Sequence, residues 1–181
     1  MELRAGEALV RPWREHDADE LARQANDQRI WLNLRDAFPH PYGIEDAKRF
    51  LAMAMGMTPQ TYFAIERSWR VAGGIGYTLH TDVERIGAEI GYWLGAAHWG
   101  RGIATAAVCA VTDYAFAMHP ELRRLWAVPF ATNPASARVL EKAGYRLEGT
   151  LRESTIKDGC VLDSWMYAVL RSERGAPNEG A

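Results

Sequence analysis

Residues 89–107, EIGYWLGAAHWGRGIATAA, constrain the fold more than any other part of this 181-residue chain. Glu89-Ile90-Gly91-Tyr92-Trp93-Leu94 is rich in aromatic and β-branched residues and reads as a strand interrupted by a glycine. A small-residue turn, Gly95-Ala96-Ala97, leads into His98-Trp99-Gly100-Arg101-Gly102. From there Ile103, Ala106, Ala107, Ala110, Val111, Tyr114 and Met118 recur at three- and four-residue steps, the period of a helix. A strand that enters a glycine turn and opens a helix gathers unpaired N–H groups and a positive dipole end at one spot, which suits a phosphate. Gly100 and Gly102 have no side chain to hold a pyrophosphate away, and Arg101 can add a charged contact. The fragment alone fits a plain tight turn equally well. It has no GKS or GKT ending and lacks the three-glycine spacing of a dinucleotide fingerprint.

The length is that of one domain with a full core. Residues 1–171 are expected to form it, and residues 172–181, with their Gly, Pro, Asn and Glu, to be a disordered tail. A net charge of −2 offers no basic footprint for nucleic acid. Cys109 and Cys160 form neither a metal nor a disulfide pattern, so no metal is expected. The polar start, and the lack of any run of about eighteen apolar residues, give no sign of a membrane segment; the expected compartment is the cytoplasm.

Along the chain, residues 8–13 read as a first strand, and Asp17 as the cap of a helix to about Asn26. Residues 30–42 carry Trp31, Leu34, Phe38, Pro39, His40, Pro41 and Tyr42; they suit either a loop over a cleft or a plug that closes the core. A helix over residues 44–55 has Ala47, Phe50, Leu51, Ala54 and Met55 inward. Strands are expected over 61–66, 71–80, 89–94 and 125–130, and over 145–157 and 160–170 around the hairpin signal Asp158-Gly159. A helix starts at Asn133-Pro134 and ends at Gly144. The expected architecture is an α/β (α+β) fold with a mixed, mainly antiparallel sheet of about seven strands and helices on both faces.

With the segments HWGRGIATAA, NPASARVLEKAGY, LEGTLRE, and KDG followed by WMYAVLR in this order, the chain resembles the GNAT superfamily of N-acetyltransferases, in its ribosomal-protein (RimJ/RimL-like) branch. The resemblance runs over residues 8–171. It implies a splay between the fourth and fifth strands, and acetyl-CoA as co-substrate in the gap. It further implies coenzyme contacts from Tyr92, Trp93, Leu94, Trp99, Gly100, Arg101, Gly102, Ile103, Ala104, Thr105, Asn133 and Ser136. Gly102 and Ala104 match the family's pyrophosphate loop, whereas Trp99 stands where the family usually has Gln or Arg. Relatives are often dimers.

Acetyl transfer needs a neutral amine, a polarised thioester carbonyl and help for the leaving thiolate. A backbone N–H in residues 89–94 is expected to polarise the carbonyl, with Gly91 marking a bulge that frees it. The tyrosine that many relatives use as acid is replaced by Leu140. The resemblance transfers that role to Ser136, with Asn133 as a pantetheine contact or simply an N-cap. Glu89 and, second to it, Glu153 are the candidate bases, although an amine can also lose its proton to solvent. Trp31, Phe38, Tyr42, Tyr77 and Trp93 can line the acceptor side or belong to the core. The implied activity is acetyl transfer from acetyl-CoA to a primary amine, a protein N-terminal α-amine or a small molecule. A non-catalytic acyl-CoA-binding or sensor module is the alternative.

Overall fold

The structure, a computed structural model, describes residues 1–174. In chain order the elements are β1 (Leu3–Ala5), β2 (Ala8–Pro12), α1 (Ala18–Ala25), α2 (Gln28–Trp31), α3 (Ile44–Gly56), β3 (Tyr62–Arg67) and β4 (Arg70–Leu79). Then come β5 (Gly87–Leu94), α4 (Ile103–Met118), β6 (Arg124–Ala127), α5 (Pro134–Lys142), β7 (Arg146–Lys157), β8 (Cys160–Leu170) and α6 (Arg171–Arg174). The eight strands form one sheet in the order β1-β2-β3-β4-β5-β6-β8-β7. All pairs are antiparallel except β5 with β6.

The eighth strand is β1, which the polar start of the chain conceals. Gly6, at φ +62°, lets residues 6–7 turn the chain back so that Ala5 pairs with Ala8, and Ala5 is buried in the core. Asp158 and Gly159 both take positive φ at the β7–β8 turn, as an Asp-Gly hairpin requires.

One core joins α4 and α5 to one face of the sheet through Ile90, Ile103, Val111, Leu125, Ala137 and Leu140. A second, built on Trp13, Leu21, Ala47, Leu51 and Val71, seats α1 and α3 on the other face. Ile90, Ile103, Leu122, Leu125 and Leu140 are almost wholly buried, each worth about 1.5–3 kcal/mol. Under the second face, Arg11 is 2% exposed and binds Asp17 through two nitrogens, at 2.7 and 2.8 Å, and Glu66 through Nε.

Several local expectations need correction. The Asp17 carboxylate does not cap α1: it is held by Arg11 and by the Arg14 N–H, and its backbone is already helical. Met55 is exposed, because the buried stripe of α3 is Ala47, Leu51 and Ala54, and Met118 is exposed at the end of α4, whose inward stripe runs through Ala107, Val108, Val111, Thr112 and Ala115. Strand β6 stops at Ala127, since Pro129 has no N–H to continue a ladder; beyond it Phe130 makes one isolated bridge to Ser164. Ser172 lies in the turn of α6, whose Arg174 bonds Asp113 and the Ala143 carbonyl. The rest of the expected tail falls outside the described residues.

No bulge occurs at Gly91, which pairs directly with Gly76 in an unbroken β4–β5 register. The opening arises on the other edge of β5. There the parallel register with β6 ends at Glu89–Trp126, while β5 continues to Leu94. Beyond Glu89 the backbone groups of β5 that point toward β6 have no strand to bond.

Candidate active site

The divergence of β5 and β6 opens a cavity of about 610 Å³. It is lined by residues 89–94, residues 98–105, residues 127–130, the first turns of α5, and Arg29 to Arg35 in part. All twelve residues expected to meet the coenzyme are among them, as is Glu89. Glu153 is not. It sits at φ +48° in an irregular stretch of β7, where its N–H donates to Asp163 Oδ1, and it lines a separate open depression with Arg152 and Ser154. The expectation that Glu153 shares the cleft is therefore corrected: three residues between Leu151 and Thr155 stand opposite the single Asp163, and the two extra residues carry Glu153 out of the ladder.

At one end of the cavity the glycine turn behaves as its sequence predicts. Gly100 and Gly102 have φ of +72° and +74°, and a Cβ on either would meet nothing within 4 Å. Their glycine character serves the backbone conformation and open access, not packing. Gly102 is the N-cap of α4 and gives no side-chain cap, so the first-turn N–H groups of this sixteen-residue helix face the cavity without a side-chain partner. Arg101 of the turn and Arg138 and Lys142 of α5 line the same space, and none of them makes an ion pair among the described residues. A chain of net charge −2 thus collects cations where a polyanion would lie. The residues present fit a diphosphate.

Trp99 plays a different part from the polar residue it replaces. Its indole N–H donates to the Leu94 carbonyl at 2.8 Å, and the Arg29 guanidinium lies 5.4 Å from its ring centroid. It fastens the turn to the end of β5 and keeps no donor for a phosphate. His98, beside it, is held below the usual histidine pKa by burial and by the nearby Arg67 and Arg101 charges, and its Nδ1 is buried without a partner.

The middle of the cavity is organised by strand alternation. Ile90, Tyr92 and Leu94 face the α4 core, whereas Glu89, Gly91 and Trp93 face the opposite side. On the first side the Tyr92 hydroxyl lies 2.8 Å from Ser136 Oγ and 3.2 Å from the Ser136 carbonyl oxygen. Ser136 stands in the first turn of α5, whose cap is Asn133: the Asn133 Oδ1 accepts from the Ser136 N–H at 3.1 Å, with Pro134 at the first helical position. Burial drives the Tyr92 phenol pKa up, so the group stays protonated.

On the second side the Glu89 carboxylate accepts from Arg35. The next residue, Asp36, binds Lys157 Nζ at 2.8 Å, and that ammonium lies 3.9 Å above the Trp31 ring. Neighbouring residues of one segment are thereby tied to β5 and to the tip of the β7–β8 hairpin, on opposite flanks of the splay. Residues 30–42 fulfil both expectations: Asn33, Leu34 and Arg35 line the cavity, while Phe38 and Tyr42 plug the second core. Of the five aromatics proposed for the acceptor side, only Trp93 lines the cavity; Tyr77 is core and bonds His119 at 3.1 Å.

Sequence reasoning passed over Arg29, Asn33, Arg35, Arg138 and Lys142. For the last two a signal existed: Ala135, Arg138, Val139 and Lys142 follow helical spacing on one stripe, and all four line the cavity. Among the described residues no helix is long and apolar enough to cross a membrane.

Comparison with known proteins agrees with this geometry. The uncharacterized N-acetyltransferase p20 of Bacillus licheniformis is 34% identical over 109 residues, 60% of each chain. The ribosomal-protein-serine acetyltransferase of Escherichia coli K12 is 37% identical over 81 residues, 45% of each chain. The chain thus matches between about half and three-fifths of these relatives' own length. The structure of Mycobacterium smegmatis RimJ in complex with CoA-disulfide superposes with a TM-score of 0.84 at 25% identity, covering 97% of this chain and 88% of that one. The acetyltransferase (GNAT) domain matches residues 8–146, from β2 through the start of β7, and the chain belongs to that family.

Proposed function

We propose that this protein is an acetyl-CoA-dependent N-acetyltransferase that acetylates a primary amine by direct attack in a ternary complex. The observation that carries this is the placement of Glu89 and the Tyr92–Ser136 pair on opposite faces of one strand, at the point where the sheet splits. The diphosphate of the coenzyme lies against the amides after Gly102, with Arg101, Arg138 and Lys142 around it. The pantetheine runs along β5 past Asn133, which brings the thioester to the splay. Backbone N–H groups of β5 beyond Glu89 polarise its carbonyl.

The amine enters beneath Asn33–Arg35 and attacks the carbonyl carbon. Its nitrogen forms the new bond, the C–S bond breaks, and the electron pair goes to sulfur. Glu89 takes the amine proton once Arg35 releases it. Ser136 donates a hydrogen bond to the thiolate, which solvent protonates, since a thiol pKa is about 8.5. An α-amine, with a pKa of about 8, is already about one-tenth neutral at pH 7, whereas a lysine amine is neutral in roughly one molecule in 2,500. A single modest base therefore suits a protein N-terminus or a small amine of similar basicity. We place the protein in the cytoplasm.

The test is thiol release from acetyl-CoA with peptides beginning in serine or alanine and with small amines. Turnover, reduced about tenfold or more in Ser136→Ala with acetyl-CoA affinity kept, supports the reading. One observation favours a binding-only module instead: Arg35 occupies the Glu89 carboxylate. Tight CoA binding with no thiol release across the whole panel would establish that alternative.

A further inference from the structure

Two hydroxyls meet on the thiol side of the cavity, and their hydrogen-bond inventory is short. Ser136 Oγ has one proton to give and two lone pairs; Tyr92 has one proton. The Ser136 N–H is already spent on Asn133. The Tyr92 ring is anchored in the α4-side core, and its hydroxyl reaches across the splay to the first turn of α5. Leu140, one turn further along α5, is fully buried and brings no polar group. The shorter phenol contact, at 2.8 Å, is to Ser136 Oγ rather than to the carbonyl at 3.2 Å. Were Ser136 to donate to Tyr92, its proton would be turned away from the cavity. With Tyr92 as donor, one lone pair of Oγ is filled and the Ser136 proton is left to point into the cavity.

We propose that Tyr92 is a positioning residue for acyl transfer: its phenol O–H donates to Ser136 Oγ and thereby aims the Ser136 O–H at the thioester sulfur. The inference rests on the acetyltransferase reading. Tyr92 neither gains nor loses a proton. It polarises and orients the donor that meets the thiolate, in a chain of two hydrogen bonds that strengthen each other. Burial, which keeps the phenol protonated, keeps the chain intact at neutral pH. Tyr92→Phe retains the ring and removes the hydroxyl's contacts with Ser136 Oγ and with the Ser136 carbonyl, so Ser136 Oγ is free to rotate toward other acceptors.

The probe is CoA itself. Donation to its sulfur favours the thiolate, so the thiol of bound CoA titrates below that of free CoA, as read by the ultraviolet absorbance of the thiolate. Tyr92→Phe is expected to raise the pKa of the bound thiol by about half a unit to one unit. Ser136→Ala raises it at least as far, and the double variant matches Ser136→Ala alone. With an alanyl peptide as acceptor, kcat falls about three- to tenfold in Tyr92→Phe while KM for acetyl-CoA holds. Tyr92→His, which keeps a ring donor, recovers part of the loss. A Tyr92→Phe effect of equal size with and without Ser136 would overturn the inference, because the phenol would not act through the serine. So would an unshifted thiol in Tyr92→Phe. Failure of the wild-type protein to bind CoA would overturn the acetyltransferase reading itself, and the inference with it.

Discussion

Replacing Gly102 with alanine separates what the turn does for the fold from what it does for the coenzyme. Gly102 holds φ +74°, a conformation that costs an L-residue about 1–2 kcal/mol. Its added Cβ would meet no atom within 4 Å, so packing contributes no further cost. For a chain of this size each kcal/mol moves the midpoint by about 2–4 °C, and Tm should fall by about 2–8 °C. The same methyl projects into the space assigned to the diphosphate. Losing one amide hydrogen bond to a charged phosphate costs about 1.5–3 kcal/mol, which raises the Kd for CoA roughly tenfold to a hundredfold. Calorimetric titration with CoA and with pantetheine, which lacks the diphosphate, distinguishes the two effects. Pantetheine affinity should not change between Gly102→Ala and the wild type. Equal losses for both ligands, or CoA binding at wild-type strength, would refute the assignment of this turn.

Glu89→Gln should lower turnover of an N-terminal α-amine at neutral pH by about fivefold to tenfold, with activity returning as pH approaches the pKa of the acceptor amine, because solvent then supplies the neutral form; an unchanged neutral rate removes Glu89 from proton transfer. Asp17→Ala leaves the buried Arg11 with Glu66 as its only carboxylate partner and strips the Arg14 N–H of its acceptor, and should cost about 3–5 kcal/mol in urea unfolding; a loss under about 1 kcal/mol would show the cluster to be dispensable. His98 has a folded-state pKa depressed below its unfolded value, so its contribution is present above about pH 6.5 and fades as pH falls through the folded pKa. Between pH 7 and pH 5 the stability difference between His98→Asn and wild type should therefore move in favour of the variant, and parallel pH slopes would contradict this.

The features legible from residues alone are those written within one turn or one hairpin. Gly100 and Gly102 announce positive φ, Asn133-Pro134 announces a helix start, and Asp158-Gly159 announces a tight reversal; each is so placed. In each case the neighbours supply the forces, and a backbone torsion or a cap is satisfied locally. The misjudged elements failed for tertiary reasons. Asp17 looks like a cap until Arg11, from the adjacent strand, claims its carboxylate. Gly91 looks like a bulge, yet the free donors come from the departure of β6, whose pairing with β5 ends at Glu89–Trp126. Glu153 follows strand alternation only until the irregularity opposite Asp163 carries it away.

The sequence by itself determined the strand, the glycine turn and the helix that bring a dipole and open amides together, and its later segments, taken in order, carried the resemblance to the family. Only the tertiary structure decided which side chains confront one another within it. Tyr92 and Ser136 are 44 positions apart, Arg35 and Glu89 are 54 apart, and Asp36 and Lys157 are 121 apart. Such pairs depend on sheet register and on where two strands part, quantities summed over the whole core, and no local periodicity carries that information.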